Sequence, residues 1–239
     1  MKGKLYGIGT GPGDPELLTL KALRYIRDAQ VIAVPGEAPR ESIAYEIAER
    51  ALEKAKKEGF VSCSLADKNV LAIPMPMTKD AGLLEAAQQQ GAEQIKERLE
   101  AGEDVVFLTL GDPTIYSTYL YIQKRIKAEG YETGIVSGIP SFCAAAARIG
   151  TGLVEQSQQL HVIPASYQIE EALELPGTKV LMKAGKKISQ VKEQLKQKNA
   201  EGMMIENCSM VTERIYRTVD EIPETAGYYS LIIIKEKEV

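Results

Sequence analysis

Short, almost continuously apolar runs alternate with amphipathic stretches along the first half of the chain. Residues 4–9 (KLYGIG) predict a strand, and Leu17, Leu18, Leu20, Ala22, Leu23 and Ile26 then recur at helical spacing. Residues 31–35 (VIAVP) predict a second strand, followed by a helical run over residues 41–56. Residues 70–74 (VLAIP) predict a third strand, and the Gln- and Glu-rich residues 84–100 a helix. Residues 104–111 (DVVFLTLG) form a strand too apolar to keep a wet face. Strands without a polar side, alternating with helices, imply an α/β chain whose parallel sheet is covered on both faces.

The pattern then changes. Residues 115–129 predict a helix, residues 133–137 (TGIVS) a strand and residues 142–149 an Ala-rich helix. Strand-like segments recur at LHVIP, KVLMKA, GMMIEN and YSLIIIKE, with the closer spacing of hairpins, so the later sheet is predicted to be mixed. The expected division lies near residue 120: a parallel-sheet domain over 1–120 and a mixed-sheet domain over 121–239.

Composition narrows the chemistry. Hydrophobic residues at 44% and charged residues at 26% are ordinary for a soluble globular protein. A net charge of −4 offers no general attraction for nucleic acid or an anionic membrane, so an anionic ligand requires a local basic patch. No apolar run reaches the roughly 20 residues of a membrane span, and the first residues do not resemble a secretory signal. The expected location is the cytoplasm. Cys63, Cys143 and Cys208 are scattered without CxxC spacing and read as reduced thiols. The single histidine, His161, is expected on a strand as a structural residue; no metal site is expected, and a Ser-His-Asp triad would need this one imidazole in the right place.

Four glycines punctuate GIGTGPGDP at the end of the first strand. A dinucleotide fingerprint requires G-x-G-x-x-G, but the third position falls on Pro12 or Asp14. A phosphate cradle also requires bare backbone N–H groups at a helix start. Here Asp14 is expected to cap the following helix, with Pro15 in the first position, where a missing N–H costs nothing. Pro12 removes another donor, and Glu16 adds negative charge. The same Gly-Asp-Pro arrangement recurs at residues 111–113 after the most apolar strand. Both are either well-made strand-to-helix turns or the wall of a site, since ligands in parallel sheets lie beyond the carboxyl ends of the strands.

Taken together, GTGPGDPELLT, LTLGDPTIYST, VSGIPSFCAAAA, ENCSMVTERIY and YYSLIIIKEKEV resemble the tetrapyrrole methylases over nearly the whole chain. RESIAYEIAER, IPMPMTKD and GIPSFCAAAARIG are most similar to the subgroup that methylates C20 of precorrin-2 or cobalt-factor II in cobalamin synthesis. The resemblance implies a class III methyltransferase fold: two α/β domains with a ligand cleft between them, a homodimer, and S-adenosylmethionine as methyl donor. Carried over by position, it implies donor contacts at Pro35, Leu110, Gly111, Asp112, Ile115, Ser117, Thr118, Ser141, Phe142, Met182, Cys208 and Ser230. The tetrapyrrole would face Gly11, Pro12, Gly13, Asp14 and Tyr116. Competing assignments are a sibling methylase acting on another ring carbon, a nicotinamide-dependent oxidoreductase, and a tetrapyrrole-binding protein without chemistry.

Methyl transfer from a sulfonium is an in-line displacement, so the protein's main task is alignment. It requires no nucleophilic side chain and no metal, in keeping with the scarcity of histidine. Asp112 is either a cap on its own helix or a carboxylate beside the donor. A proton must leave the methylated carbon; Tyr116, Tyr119, Asp14 and solvent are all conceivable acceptors, and no side chain is expected to be an indispensable base. The acceptor's carboxylates call for cations, for which Arg40, Lys79, Arg148 and Lys183 are the candidates flanking the motifs.

Overall fold

The computed structural model describes residues 2–78, 80–164 and 169–235. It divides into two compact units after Pro140, beyond the expected position near residue 120. Strand pairing explains the difference, because the strand over Thr133–Val136 joins the first sheet and brings its preceding helix with it.

In the first unit, β1 (Leu5–Gly9), α1 (Leu20–Asp28), β2 (Val31–Pro35), α2 (Ile43–Lys57), β3 (Asn69–Ile73), α3 (Ala81–Glu100), β4 (Val105–Thr109), α4 (Tyr119–Ala128) and β5 (Thr133–Val136) follow one another. All strand pairs in this sheet are parallel, and its order is β3-β2-β4-β1-β5. Every residue of β4 is buried, as its unbroken apolar run predicts. Ile8, Ile32, Val34, Val106 and Leu108 pack beneath α1 and α2, whereas Leu5, Val31, Ala33, Val105 and Phe107 pack beneath α3 and α4. The helices that follow β1 and β2 therefore cover one face, and the helix that follows β4, the strand between them, covers the other. Such a reversal opens a crevice at the carboxyl edge of the sheet.

The second unit contains α5 (Ser141–Ile149), β6 (Leu160–Pro164), α6 (Ile169–Leu173), β7 (Thr178–Met182), α7 (Ile188–Gln197), β8 (Glu201–Glu206), β9 (Arg214–Tyr216) and β10 (Ser230–Lys235). Its sheet has the order β6-β7-β10-β8-β9, with β6 and β7 parallel and the other pairs antiparallel. The sheet is mixed, as the hairpin-like spacing predicts. Leu181, Met204, Ile232 and Ile234 pack with Ile169, Ile188, Val191 and Leu195 in its core, and α5 lies against β10.

Two helix starts differ from expectation. Asp14 does cap a turn opened by Pro15, but that turn is a single 3-10 turn over Pro15–Leu17. The amphipathic helix begins only at Leu20, where the Thr19 side chain accepts the Ala22 N–H at 3.1 Å. In the same way α4 starts at Tyr119 rather than at residue 115, because Tyr116 has a φ of 49°, which a right-handed helix cannot include.

Candidate functional site

At the carboxyl edge of the first sheet, three strand exits meet through bare backbone. A Cβ on Gly9 would lie 2.5 Å from the Gly138 nitrogen and 2.6 Å from the Gly111 carbonyl oxygen. A Cβ on Gly138 would strike the same oxygen and approach the Gly9 Cα to 2.8 Å. Glycine is required at both positions because the loops after β1, β4 and β5 pack in van der Waals contact. Gly11 and Gly111, both at left-handed φ (75° and 73°), then exchange two backbone hydrogen bonds of 3.2 and 2.8 Å. The two Gly-Asp-Pro turns thus form one layer at the reversal point of the sheet.

Asp112 holds this layer to the loop after β5. One carboxylate oxygen, Oδ1, accepts the Thr114 N–H at 2.8 Å and the Thr114 hydroxyl at 2.5 Å. The other, Oδ2, accepts the Gly138 N–H at 2.9 Å. This replaces the cap assignment for Asp112: its partners are a local turn and a neighbouring loop, and α4 starts only at Tyr119. The side chain is buried, with its donors aligned from two directions. Ser117, also buried, accepts the Tyr119 N–H at 3.1 Å. Pro35, Leu110, Ile115 and Thr118 are half-buried on the same edge or in the loop that leaves it, and Tyr116 is half exposed. Gly11, Pro12 and Gly13 are buried, and Asp14 accepts the Glu16 N–H at 2.9 Å.

Tyr119 is not available as a proton acceptor. Its ring is buried against Gly7, its hydroxyl donates to the Gly134 carbonyl at 2.6 Å, and burial pushes its pKa upward.

In the second unit, Met182, Cys208 and Ser230 collect at one end of the sheet, where β7 and β8 finish and β10 begins. Met182 is opposite Leu231, and Ser230 is opposite Glu206. The Lys183 N–H donates to the Ser230 carbonyl at 3.0 Å, and the Asn207 N–H to the Tyr229 carbonyl at 3.0 Å. The Ser230 hydroxyl is buried and has no hydrogen-bond partner among the described residues. An orphaned buried hydroxyl is the kind of group that a bound polar ligand satisfies. Ser141 and Phe142 open α5, Phe142 buried and Ser141 half-buried. Burial pushes the Cys208 thiol upward, opposed by its contact with Ser209, so it stays a neutral thiol.

Two carboxylates that the motifs contain but their local pattern does not distinguish shape this end. Glu206 Oε1 accepts the Gly227 N–H at 2.6 Å, and its Oε2 takes a long 3.4 Å bond from the Tyr216 hydroxyl. Glu213 accepts the Ser209 N–H at 2.6 Å and pairs with Arg148. Of the candidate cations, Arg148 is therefore committed to Glu213. Arg40 is well exposed, 3.9 Å from Glu49. Lys183, at a φ of 61°, places its ammonium 5.4 Å from the Tyr228 ring centre. Lys79 lies outside the described residues. Among the described residues, four of the six non-glycine residues at positive φ, namely Tyr116, Lys183, Asn207 and Ser209, are in these loops, and backbone strain of this kind concentrates at functional sites. Among the described residues no group of His, Cys, Asp and Glu could hold a metal ion, and no helix is long and apolar enough to cross a membrane.

A parallel α/β unit with glycine-acidic turns at its reversal point, joined in sequence to a mixed-sheet α/β unit, is the architecture of the class III methyltransferases. The family model of the Tetrapyrrole (Corrin/Porphyrin) Methylases matches residues 4–223, and the chain belongs to this family. A cobalt-precorrin-2 C(20)-methyltransferase of Salmonella typhimurium is 29% identical over 99% of this chain and 98% of its own length. A relative from Methanocaldococcus jannaschii, named a probable cobalt-precorrin-2 C(20)-methyltransferase, is 35% identical over 75% of this chain and 72% of its own length. A uroporphyrin-III C-methyl transferase from Thermus thermophilus, solved in complex with S-adenosyl homocysteine, has the same fold at a TM-score of 0.68 and 21% identity, covering 98% of both chains.

Proposed function

We propose that this protein transfers a methyl group from S-adenosylmethionine to C20 of precorrin-2 or cobalt-factor II, as a step of corrin-ring synthesis. What carries the proposal is similarity from end to end to a relative named for that reaction, at 29% identity over 98% of that relative's length. The donor supplies a methyl group already activated by a positively charged sulfur. The protein contributes alignment. In the first unit, Pro35, Leu110, Gly111, Ile115, Ser117 and Thr118 are the proposed donor contacts, with Asp112 holding their loop against Gly138. In the second unit they are Ser141, Phe142, Met182, Cys208 and Ser230, whose buried hydroxyl is unsatisfied by the described residues.

The turn over residues 11–14 and Tyr116 are proposed to face the tetrapyrrole, with Arg40 and Lys183 as cations for its carboxylates. No side chain is assigned as an indispensable base. A homodimer and a cytoplasmic location accompany this proposal; light scattering tests the first. The decisive experiment is turnover with a labelled methyl donor on precorrin-2 and on cobalt-factor II separately, with carbon NMR of the product. Label at C20 is the expected result. Label at another ring carbon, or tight NAD binding with none of the donor, overturns it.

A further inference from the structure

Cys208 lies between two residues that hold left-handed backbone without being glycine, Asn207 at φ 49° and Ser209 at φ 63°. Such a turn persists only where its surroundings over-determine it. Part of the restraint is local: the Met210 N–H donates to the Asn207 carbonyl at 2.9 Å, and the Glu213 N–H to the Met210 carbonyl at 3.0 Å. The Tyr229 carbonyl holds the Asn207 N–H at 3.0 Å, and Glu213 adds the restraint at Ser209. The Glu213 side chain is only 13% exposed, and its Oε2 accepts the Ser209 N–H at 2.6 Å. Arg148, in the last turn of α5, grips the same carboxylate with Nη2 at 2.5 Å from Oε1 and with Nε at 3.1 Å from both oxygens.

This arrangement differs from an ordinary surface ion pair. Lys196 and Asp220, for comparison, are 49% and 86% exposed and face solvent. Glu213 is shielded, oriented by a forked guanidinium, and spends its second oxygen on a strained turn. The chain of contacts runs from α5, which begins with Ser141 and Phe142, through Arg148 and Glu213 to the backbone beside Cys208. It connects two segments of this unit that carry proposed donor contacts. Arg148 also holds the Glu213 carboxyl below the usual carboxylate range.

We propose that Arg148 and Glu213 are a positioning pair that fixes the turn over residues 207–209 relative to α5, so that affinity for the methyl donor depends on two side chains that do not touch it. The proposal rests on the donor site described above. Calorimetry on the full-length protein, with S-adenosylhomocysteine as probe, tests it alongside steady-state kinetics. Loss of a charge-assisted bond of this kind predicts that Glu213→Ala weakens the probe about tenfold. The donor KM should rise in step, while kcat at saturating donor and the acceptor KM stay within about twofold of wild type. Glu213→Gln keeps an oxygen for the Ser209 N–H and should lie between the two. If Glu213→Ala does not fold, Glu213→Gln carries the test, and a loss of about threefold supports the pair. Wild-type probe affinity in the folded variant overturns the pair, even if melting temperature falls. A wild-type protein that does not bind the probe overturns the donor site itself, a separate and distinguishable failure.

Discussion

At the carboxyl edge of the first sheet, loops are joined largely by backbone: Gly9, Gly111 and Gly138 touch, and the Asp112 carboxylate and the Thr10 hydroxyl add side-chain bonds. At the end of the second sheet where β7 and β8 finish, carboxylates add to the framework: Glu206 reaches the Gly227 N–H before β10, and Glu213, held by Arg148 of α5, braces Ser209 within its own loop. Strand direction accounts for the contrast. Five parallel strands send every exit to one edge, spaced only about 4.8 Å apart, and at the neighbouring exits of β4, β1 and β5 a Cβ on Gly9 or Gly138 has no room. In the mixed sheet, the two exits of β7 and β8 flank the entry of β10. The loops there share backbone bonds, Lys183 to Ser230 and Asn207 to Tyr229, and a close approach of Gly185 to Gly227, and the carboxylates supplement these.

The sharpest way to break this comparison is Gly138→Ala. The added methyl would run into the Gly111 carbonyl and the Gly9 Cα, both backbone of buried loops with no rotamer to yield. A cost of about 3 kcal/mol or more is expected, above the usual range for overpacking because neither neighbour can move alone. Urea unfolding measures it. A cost under about 1 kcal/mol would mean that the three exits are not in rigid contact. Removing a carboxylate tie in the second unit should cost less. Glu206→Ala leaves the Gly227 N–H without its 2.6 Å acceptor, and about 2 kcal/mol is expected. Glu206→Gln should recover part of that loss, since one amide oxygen can take the N–H; an alanine variant as stable as wild type would remove Glu206 from the framework.

The two modes of construction were also unequally legible. Glycine crowding leaves a local signature, so GTGPGD and GDP marked the right edge of the first sheet, and the unbroken apolar run of β4 marked its buried centre. What the motifs misassigned was the reach of their acids. Asp14 and Asp112 looked alike before Pro15 and Pro113, yet Asp14 closes a single 3-10 turn and Asp112 crosses to Gly138, 26 positions away. Ties in the second unit are more distant still. Glu213 and Arg148 are 65 positions apart, so Arg148 looked like a free cation for an acidic ligand, and Glu213 stood out only as one acid among many. The division after Pro140 depended in the same way on β5 returning to β1, a pairing that no local pattern encodes.

A pH titration sharpens the carboxylate side of the comparison with the smallest effect. Arg148 is the main cause of the depressed Glu213 pKa, burial opposes it, and the Ser209 N–H adds to the depression. A carboxyl whose folded pKa lies below its unfolded value of about 4.3 stabilises the protein above that value, and the contribution is lost as pH falls through the folded pKa. Arg148 is 56% exposed, so solvent screens the pair, and about 1 kcal/mol is expected at neutral pH. Glu213→Gln should therefore be less stable than wild type at pH 7, with the gap closing below about pH 4 as the native carboxyl protonates. The clash at Gly138 is steric, and the carboxylate on its N–H, Asp112, carries only part of the contact, so most of the Gly138→Ala gap should persist to low pH. Urea midpoints for the three proteins across that range separate the two behaviours. A Glu213→Gln gap that stays constant with pH would mean that charge at Glu213 is not what holds its turn.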